Sequence, residues 1–396
     1  MSEQMNRSPA QEATPAPRFS VLVAFRDREV ARVRRFLDGL SRQSWRDFEL
    51  IFVDYGSTPA LAAAVEPLVR GHGFARYLYN DTRGMPWNRS HALNSAARAS
   101  RGEYLLCTDI DLVFSSPVLG ELAAAAAPAT LLHGGFYLLP RGFRRWEELG
   151  AGGLRGFRRS PNQPLGALQV VPREAFFRLQ GFDEFYRIWG VEDHDFALRL
   201  ERSGCARRQL ELSPVYHQWH PSAAVPSMPA GWLDVMNFHC AAGAGYVRNP
   251  AQPWGVCLDA GQRPSRQVDP AGPGARRYVL PYWRRQPGSW LSCEFPGLAA
   301  WAKVVFIREF FGEFAAAAGG SRFICEVRGS PSVWLWEILV RTVFRHKARK
   351  TAGRRFFDYR REARDIIWYA IVFSGLVADY SIEEVPGGTR YVLVRK

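Results

Sequence analysis

Apolar and polar positions alternate between two periods along the first third of the chain. FSVLVAF (19–25) is an unbroken apolar run of strand length, and REVARVRRFLDGLSRQ (28–43) then spaces its apolar residues as a helix does. FELIFVDYGST (48–58) is a second buried strand that stops in turn residues. SHALNSAARAS (90–100) reads as a helix of small residues, and EYLLCTDIDLVF (103–114) as a third apolar strand. Strand–helix–strand alternation at this spacing predicts an α/β architecture, a doubly wound and mostly parallel sheet. In such sheets ligands bind beyond the carboxyl ends of the strands. That rule lines up Phe25, Arg26, Asp27, Arg28, Asp54, Asp109, Ile110 and Asp111 along one crevice.

The pattern then loosens. Residues 140–260 interleave Pro, Gly, Trp and Arg, and AGQRPSRQVDPAGPGARR (260–277) has the composition of a linker. Beyond it WLSCEF, SRFICEV and TRYVLVRK read as strands, while AAWAKVVFIREFFGEFAAAA and WLWEILVRTVFRHKARK read as helices, so a smaller α+β domain is expected over 278–396. The first 17 residues are polar and proline-rich without an apolar core segment, as expected of a disordered leader. The expected organisation is thus leader 1–17, main domain 18–260, linker 261–277 and small domain 278–396, with no internal repeat.

Composition adds three constraints. The six cysteines are scattered with no CxxC pair, which fits reduced thiols better than a disulfide framework or a zinc site. The most apolar window, IIWYAIVFSGLVADY (366–380), is too short to span a bilayer and runs into an acidic, hairpin-like end, so a soluble cytoplasmic protein is expected. The net charge of +14 is concentrated: between Arg341 and Arg364 ten Lys/Arg face only Asp358 and Glu362. A basic, aromatic-rich segment of this kind suits the anionic headgroups of a membrane's inner face, or is simply a solvated face. Nothing in it resembles a nucleic-acid-binding module, which disfavours that partner.

Chemistry concentrates in four places. GFDEFYRIWGVEDHD (181–195) crowds Glu192, Asp193 and Asp195 at the start of the amphipathic stretch FALRLER. Carboxylates are tolerated so close together at a helix N-terminus, or where a site needs a base beside a hydroxylated ligand. Asp109-Ile110-Asp111 ends an apolar strand, and hard divalent cations such as Mg²⁺ or Mn²⁺ prefer such oxygen ligands. His217 and His220 in YHQWH lie on opposite faces if the segment is a strand, and both reach one metal only if the chain turns before Pro221. Arg26, Arg28 and Arg89 carry forks suited to diphosphate oxygens, and Trp87 is a stacking candidate. Neither GxGxxG nor GxxxxGK[ST] occurs, which weighs against a Rossmann dinucleotide site and a P-loop.

Taken in order, AFRDR (24–28), VDYGST (53–58), WNRSHALN (87–94), TDIDLVF (108–114), PLGALQVVPREAFFRLQGFDE (164–184), WGVEDHDFALRL (189–200) and YHQWH (216–220) resemble the A-fold (GT-A), nucleotide-sugar-dependent glycosyltransferases. The opening is similar to glycosyltransferase family 2. The later blocks are similar to the β-1,4-galactosyltransferases and the chondroitin-polymerase group. The resemblance covers about residues 18–260 and implies an inverting, metal-dependent transfer from a UDP-sugar to a glycan or lipid-linked glycan hydroxyl, in bacterial surface-polysaccharide synthesis. It implies a donor side of Phe25, Arg26, Arg28, Asp54, Asn88, Arg89, Asp109, Ile110 and Gly166. Asp111, with Asp109 and with His217 or His220, would hold Mn²⁺ or Mg²⁺. Trp189, Gly190 and Glu192 would hold the acceptor, and Asp193 would be the base. The chain departs from the galactosyltransferases at Val191, where they have a second glycine, and at His194, where they have an acid. Two other readings remain: a different A-fold nucleotidyltransferase, which has no use for the WGVED block, and a catalytically silent sugar- or membrane-binding module.

Overall fold

The computed structural model describes residues 15–83, 87–149, 154, 156–160, 165–186, 190–220, 236–237, 240–241, 249, 254–258, 276–283, 290–293, 312–328, 367, 376–386 and 388–396. Its first part is a three-layer α/β domain. Strands β1 (Phe19–Phe25), β2 (Phe48–Asp54), β3 (Ala75–Tyr79), β4 (Tyr104–Asp109), β6 (Thr130–Gly134), β9 (Leu168–Pro172) and β10 (Ala206–Leu210) form one seven-stranded sheet in the order β10-β6-β9-β4-β1-β2-β3. All its pairings are parallel except those of β9, which is antiparallel to both β4 and β6.

The apolar runs are unbroken because the sheet is covered on both faces. Side chains alternate along a strand, so β1 feeds two cores. Phe19, Val21, Val23 and Phe25 pack with Val33, Phe36, Leu37 and Leu40 of α1 (Val30–Ser41) and Val65 and Val69 of α2 (Pro59–Arg70). Leu22 and Ala24 face Ala92, Leu93, Ala96 and Ala97 of α3 (Arg89–Ala99), Phe176 of α5 (Arg173–Arg178), and Phe196 and Leu200 of α6 (Glu192–Arg202). The small residues of α3 let its backbone lie close to the sheet, which holds Arg89, at its first turn, over the strand ends.

One expected strand divides. Residues 103–114 are not a single strand: β4 stops at Asp109, and β5 (Leu112–Phe114) leaves for a second sheet. That sheet has the order β5-β11-β7-β8, with β7 (Tyr137–Leu138), β8 (Arg158–Arg159) and β11 (Val215–His217). The apolar run continues through the break because β5 is buried too, so periodicity carries no mark of it. Helix α4 (Val118–Ala125) follows β5.

Further along, β12 (Arg276–Trp283), β13 (Trp290–Cys293), β14 (Arg322–Arg328), β15 (Val377–Val385) and β16 (Gly388–Arg395) form a five-stranded sheet in the order β13-β12-β14-β16-β15. The stretch expected as linker 261–277 therefore overlaps β12, and the hairpin-like end is the antiparallel pair β15–β16. In this sheet Glu326 is buried and receives the Arg390 guanidinium at 2.9 Å. The basic stretch 341–364 and the leader lie outside the described residues, apart from residues 15–17. Among the described residues no helix is long and apolar enough to cross a membrane.

Candidate functional site

The break between β4 and β5 builds the first half of the site. Asp109 closes β4, the chain turns, and Asp111 precedes β5, which pairs antiparallel with β11 so that His217 stands opposite Leu112. The ladder ends there, with the Gln218 amide donating to the Asp111 carbonyl at 2.8 Å. Buried Gln218 is fixed from the other side by the Arg32 carbonyl and the Arg35 guanidinium, both at 3.3 Å. Because the strand stops at His217, the chain turns and both imidazoles reach one carboxylate. His217 Nε2 lies 3.4 Å and His220 Nε2 3.0 Å from Asp111 Oδ2. Phe136 stacks on His217, with ring centroids 5.0 Å apart, and fixes its plane.

Asp111, His217 and His220 present one ligand atom each, all within 4.8 Å of one another. Burial works against the charged Asp111 carboxylate, yet the two imidazoles outweigh it and hold the group well below the usual carboxylate range. Asp111 Oδ1 is buried and has no hydrogen-bond partner among the described residues. A buried, ionised carboxylate with an unpartnered oxygen, flanked by two imidazoles, is a donor set that fits a divalent cation.

The second half comes from α6. Gly190 (φ 99°) and Val191 (φ 73°) both take left-handed backbone before Glu192 begins the helix. A β-branched residue there is strained by about 1–3 kcal/mol, and Val191 is held by packing against the cluster of Tyr186, Met236 and Cys240. The turn delivers Glu192 and Asp193 to the helix N-terminus, whose partial positive charge favours carboxylates. Asp195 points the other way. It is buried against Arg199 at 2.7 Å and belongs to the core.

Arg89 joins the halves. Its Nε donates to Asp109 Oδ1 at 2.9 Å, its Nη2 to the Gly166 carbonyl at 2.6 Å, and its Nη1 lies 3.7 Å from Glu192 Oε1. Burial opposes its charge, but Asp109, Glu192 and Asp193 raise its pKa above the usual arginine value, so it is a permanent cation. Burial pushes the Asp109 carboxyl up against the pull of Arg89. Glu192 is pushed up to about 7, first by burial and then by the charge of Asp193, with Arg89 opposing. Gly166 faces Asp193: a Cβ there would stand 3.0 Å from Asp193 Oδ2. The Asp193 carbonyl accepts from Gln169 Nε2 of β9 at 3.2 Å.

Other expected site residues are placed as follows. Arg26 braces the strand ends, donating to the Tyr55 carbonyl and to the Thr82 carbonyl (2.7 Å) and hydroxyl (2.8 Å). Arg28 is exposed. Asp54 is buried with both oxygens engaged, by the Ser57 amide and the Tyr77 hydroxyl at 2.8 Å each, and desolvation raises its pKa. Phe25 and Ile110 are both buried in the core. Asn88 caps α3, its Oδ1 accepting from the His91 amide at 2.9 Å. Trp87 packs edge-on against Tyr55, with centroids 5.6 Å apart. Trp189 lies outside the described residues. Sequence reasoning missed Gln169, Gln218 and Phe136. These residues have no motif of their own and acquire a role only when β9, β11 and β7 are brought together.

Residues 20–182 match the family model described as glycosyl transferase family 2. Residues 156–221 match the model described as the N-terminal domain of galactosyltransferase. The two matches overlap over 156–182, which includes Gly166, and between them take in both halves of the site. Residues 20–221 thus carry the glycosyltransferase matches on a seven-stranded, mostly parallel α/β sheet. The chain is similar over 56 residues, at 39% identity, to chondroitin synthase of Escherichia coli; that stretch is 14% of this chain and only 8% of the synthase. Among solved structures, GalNAc-T7 with UDP, GalNAc and Mn²⁺ matches at 16% identity and TM-score 0.40, covering 52% of this chain and 44% of that one. The mannosyltransferase PcManGT of Pyrobaculum calidifontis, with GDP-Man and Mn²⁺, matches at 18% identity and TM-score 0.42, over 90% of this chain and 88% of that one. S. aureus TarS with UDP matches at 17% identity and TM-score 0.39, over 52% and 61%.

Proposed function

We propose that this chain is an inverting, metal-dependent glycosyltransferase that moves a sugar from a UDP-sugar to a hydroxyl of a glycan or lipid-linked glycan, in polysaccharide assembly. The observation that carries the reading is the Arg89 bridge, which places Asp109 of the DxD turn and Glu192 of the acid cluster on one guanidinium although 83 residues separate them. In an inverting transfer the acceptor oxygen attacks the anomeric carbon from the side opposite the departing diphosphate. A site for that reaction therefore needs a base on one flank and positive charge on the other. Asp193 is the base: it takes the acceptor hydroxyl's proton on one of its carboxylate oxygens. Glu192 and Arg89 orient the sugars between the flanks. Asp111, His217 and His220 would hold a divalent cation, which when bound would supply positive charge to the leaving diphosphate. Two imidazoles favour Mn²⁺ over Mg²⁺, which prefers oxygen ligands. A nucleotidyltransferase would leave Glu192 and Asp193 without work at the helix start, which favours sugar transfer.

The reading is tested by transfer from UDP-Gal, UDP-GalNAc, UDP-Glc, UDP-GlcNAc and UDP-GlcA, followed as UDP release with Mn²⁺ or Mg²⁺. Faster release with Mn²⁺ than with Mg²⁺ is expected, and no release with any donor would refute the proposal.

Two substitutions probe the acid cluster. Glu192 has a folded pKa of about 7 against an ordinary 4.5. The ionised form that accepts a sugar hydroxyl therefore grows across about pH 6 to 8, and kcat/KM is expected to rise over that window. Glu192→Gln should flatten this limb. The same shift acts on stability. The folded state holds this proton more tightly than the unfolded chain, so the contribution is present below pH 4.5 and is lost as pH rises through about 7. Urea titrations at pH 5 and pH 8 should show a smaller pH-dependent loss in the variant than in the wild type. Gly166→Ala leaves the backbone unstrained but pushes a methyl to 3.0 Å from Asp193 Oδ2. It is expected to lower kcat by roughly tenfold through misplacement of the base, with an unchanged melting temperature. A normal kcat would mean that the Asp193 position is not critical.

A further inference from the structure

The small sheet carries an exposed aromatic and basic edge next to the metal-ligand set, and none of it is used by the chemistry above. Cross-strand neighbours share a face. Leu112 of β5, His217 of β11, Leu138 of β7 and Arg158 of β8 stand in one such row, while Val113, Tyr216, Tyr137 and Arg159 form the other. The first row passes from buried core at Leu112, through the imidazole of His217, to an exposed guanidinium at Arg158. Two strand spacings separate His217 from Arg158, about 10 Å. The β7 backbone is tied to this row where the Leu139 amide donates to the His217 carbonyl at 3.0 Å.

Trp219 stands between the two metal-ligand histidines in sequence and is 44% exposed, one of only two large apolar side chains so exposed among the described residues. Arg141, in the turn after β7, holds its guanidinium 5.1 Å from the Trp219 ring centre. The nearby acids are engaged: Glu211 pairs with Arg159 at 2.8 Å and Glu148 with Arg145 at 2.6 Å. Among the described residues no carboxylate pairs with Arg141 or Arg158.

We infer that Trp219, Arg141 and Arg158 form a subsite for an acidic acceptor glycan, with the indole under a sugar ring and the two guanidiniums on carboxylates of that sugar and its neighbour. The inference rests on the proposed transferase function and names the substrate class. An exposed indole offers a flat apolar face to the C–H side of a pyranose, and arginine forks match carboxylates in geometry. A lipid surface needs several apolar side chains to insert, and this edge offers one. Base stacking on single-stranded nucleic acid needs successive aromatic platforms, and only Trp219 is exposed here. The row passes from Arg158 to His217, so a chain bound along it runs into the reaction site.

The test is binding, measured by titration calorimetry on the full chain, of oligogalacturonate, alginate and hyaluronan fragments, each paired with its carboxyl-reduced neutral form. At least one acidic fragment is expected to bind roughly tenfold or more tightly than its reduced form, the size of one charge-assisted hydrogen bond. Arg141→Ala/Arg158→Ala should remove that preference, and Trp219→Ala should weaken both forms together. Each variant should retain wild-type UDP binding with Mn²⁺, which separates this subsite from the donor site: loss of UDP binding in the wild type would count against the transferase reading alone. The inference is overturned if none of the three fragments binds. It is equally overturned if acidic and reduced forms bind alike, or if phosphatidylglycerol vesicles or oligo(dT) bind as tightly as the best fragment and independently of Trp219.

Discussion

Asp193→Asn is expected to lower the rate of sugar transfer by about 10²–10⁴-fold, the usual contribution of a positioned general base, while UDP binding with Mn²⁺ is retained. The amide matches the carboxylate in shape but cannot take a proton, so the loss falls on kcat. Position is preserved because the features that hold the side chain do not need its charge. The His194 amide still meets an oxygen where Asp193 Oδ1 accepts at 2.9 Å, and Gln169 still holds the Asp193 carbonyl. Removing one charge from the Glu192–Asp193 pair also relieves the repulsion that raises the Glu192 pKa, so the pH limb of the residual activity should move downward. Single-turnover rates with the natural or surrogate acceptor, beside UDP affinity, distinguish a base from a positioning residue. Near-normal turnover would rule out Asp193 as the base.

Asp111→Ala is expected to be at least as severe, by about 10³-fold or more, because it removes the anionic ligand on which His217 and His220 converge. Two imidazoles alone bind divalent cations weakly, and the charge on the departing diphosphate is then left uncompensated. A readout independent of turnover is available. A cation that binds only the folded state raises the melting temperature, by an amount that grows with the logarithm of its concentration above Kd. Mn²⁺ should stabilise the wild type and leave Asp111→Ala unmoved. Without metal, the variant also loses the carboxylate that each imidazole faces. A Mn²⁺-dependent shift that survives Asp111→Ala would place the cation elsewhere.

Much of this site was legible in the sequence, for a reason rooted in the fold. Parallel strands end on one edge, so the residues that close apolar runs, among them Asp109 and Arg26, had to gather there. The role of Arg89 as a bridge was not legible, because its partners lie 20, 77 and 103 residues away. The His pair was ambiguous on spacing alone, and what decides it is that β11 ends at His217, a consequence of the short β5 it pairs with. The same break was hidden in EYLLCTDIDLVF because a chain leaving one sheet for another keeps its apolar pattern when both are buried. Asp54 reads as a ligand from its place at the end of β2, yet the Ser57 amide and the Tyr77 hydroxyl engage both its oxygens. Strand β9 was missed because it lies antiparallel within a loop-rich stretch, and Gln169 was missed with it.

A single nucleotide-sugar site assembled from the DxD turn, the histidine pair and the start of α6 must bind UDP through its cation. The most direct test is calorimetric titration of UDP into the wild type, Asp111→Ala and Asp193→Asn, each with and without Mn²⁺. Mn²⁺-dependent UDP binding is predicted in the wild type and in Asp193→Asn, and its loss in Asp111→Ala. UDP binding that is absent from the wild type, or indifferent to both Mn²⁺ and Asp111, would contradict a metal-dependent nucleotide-sugar site there.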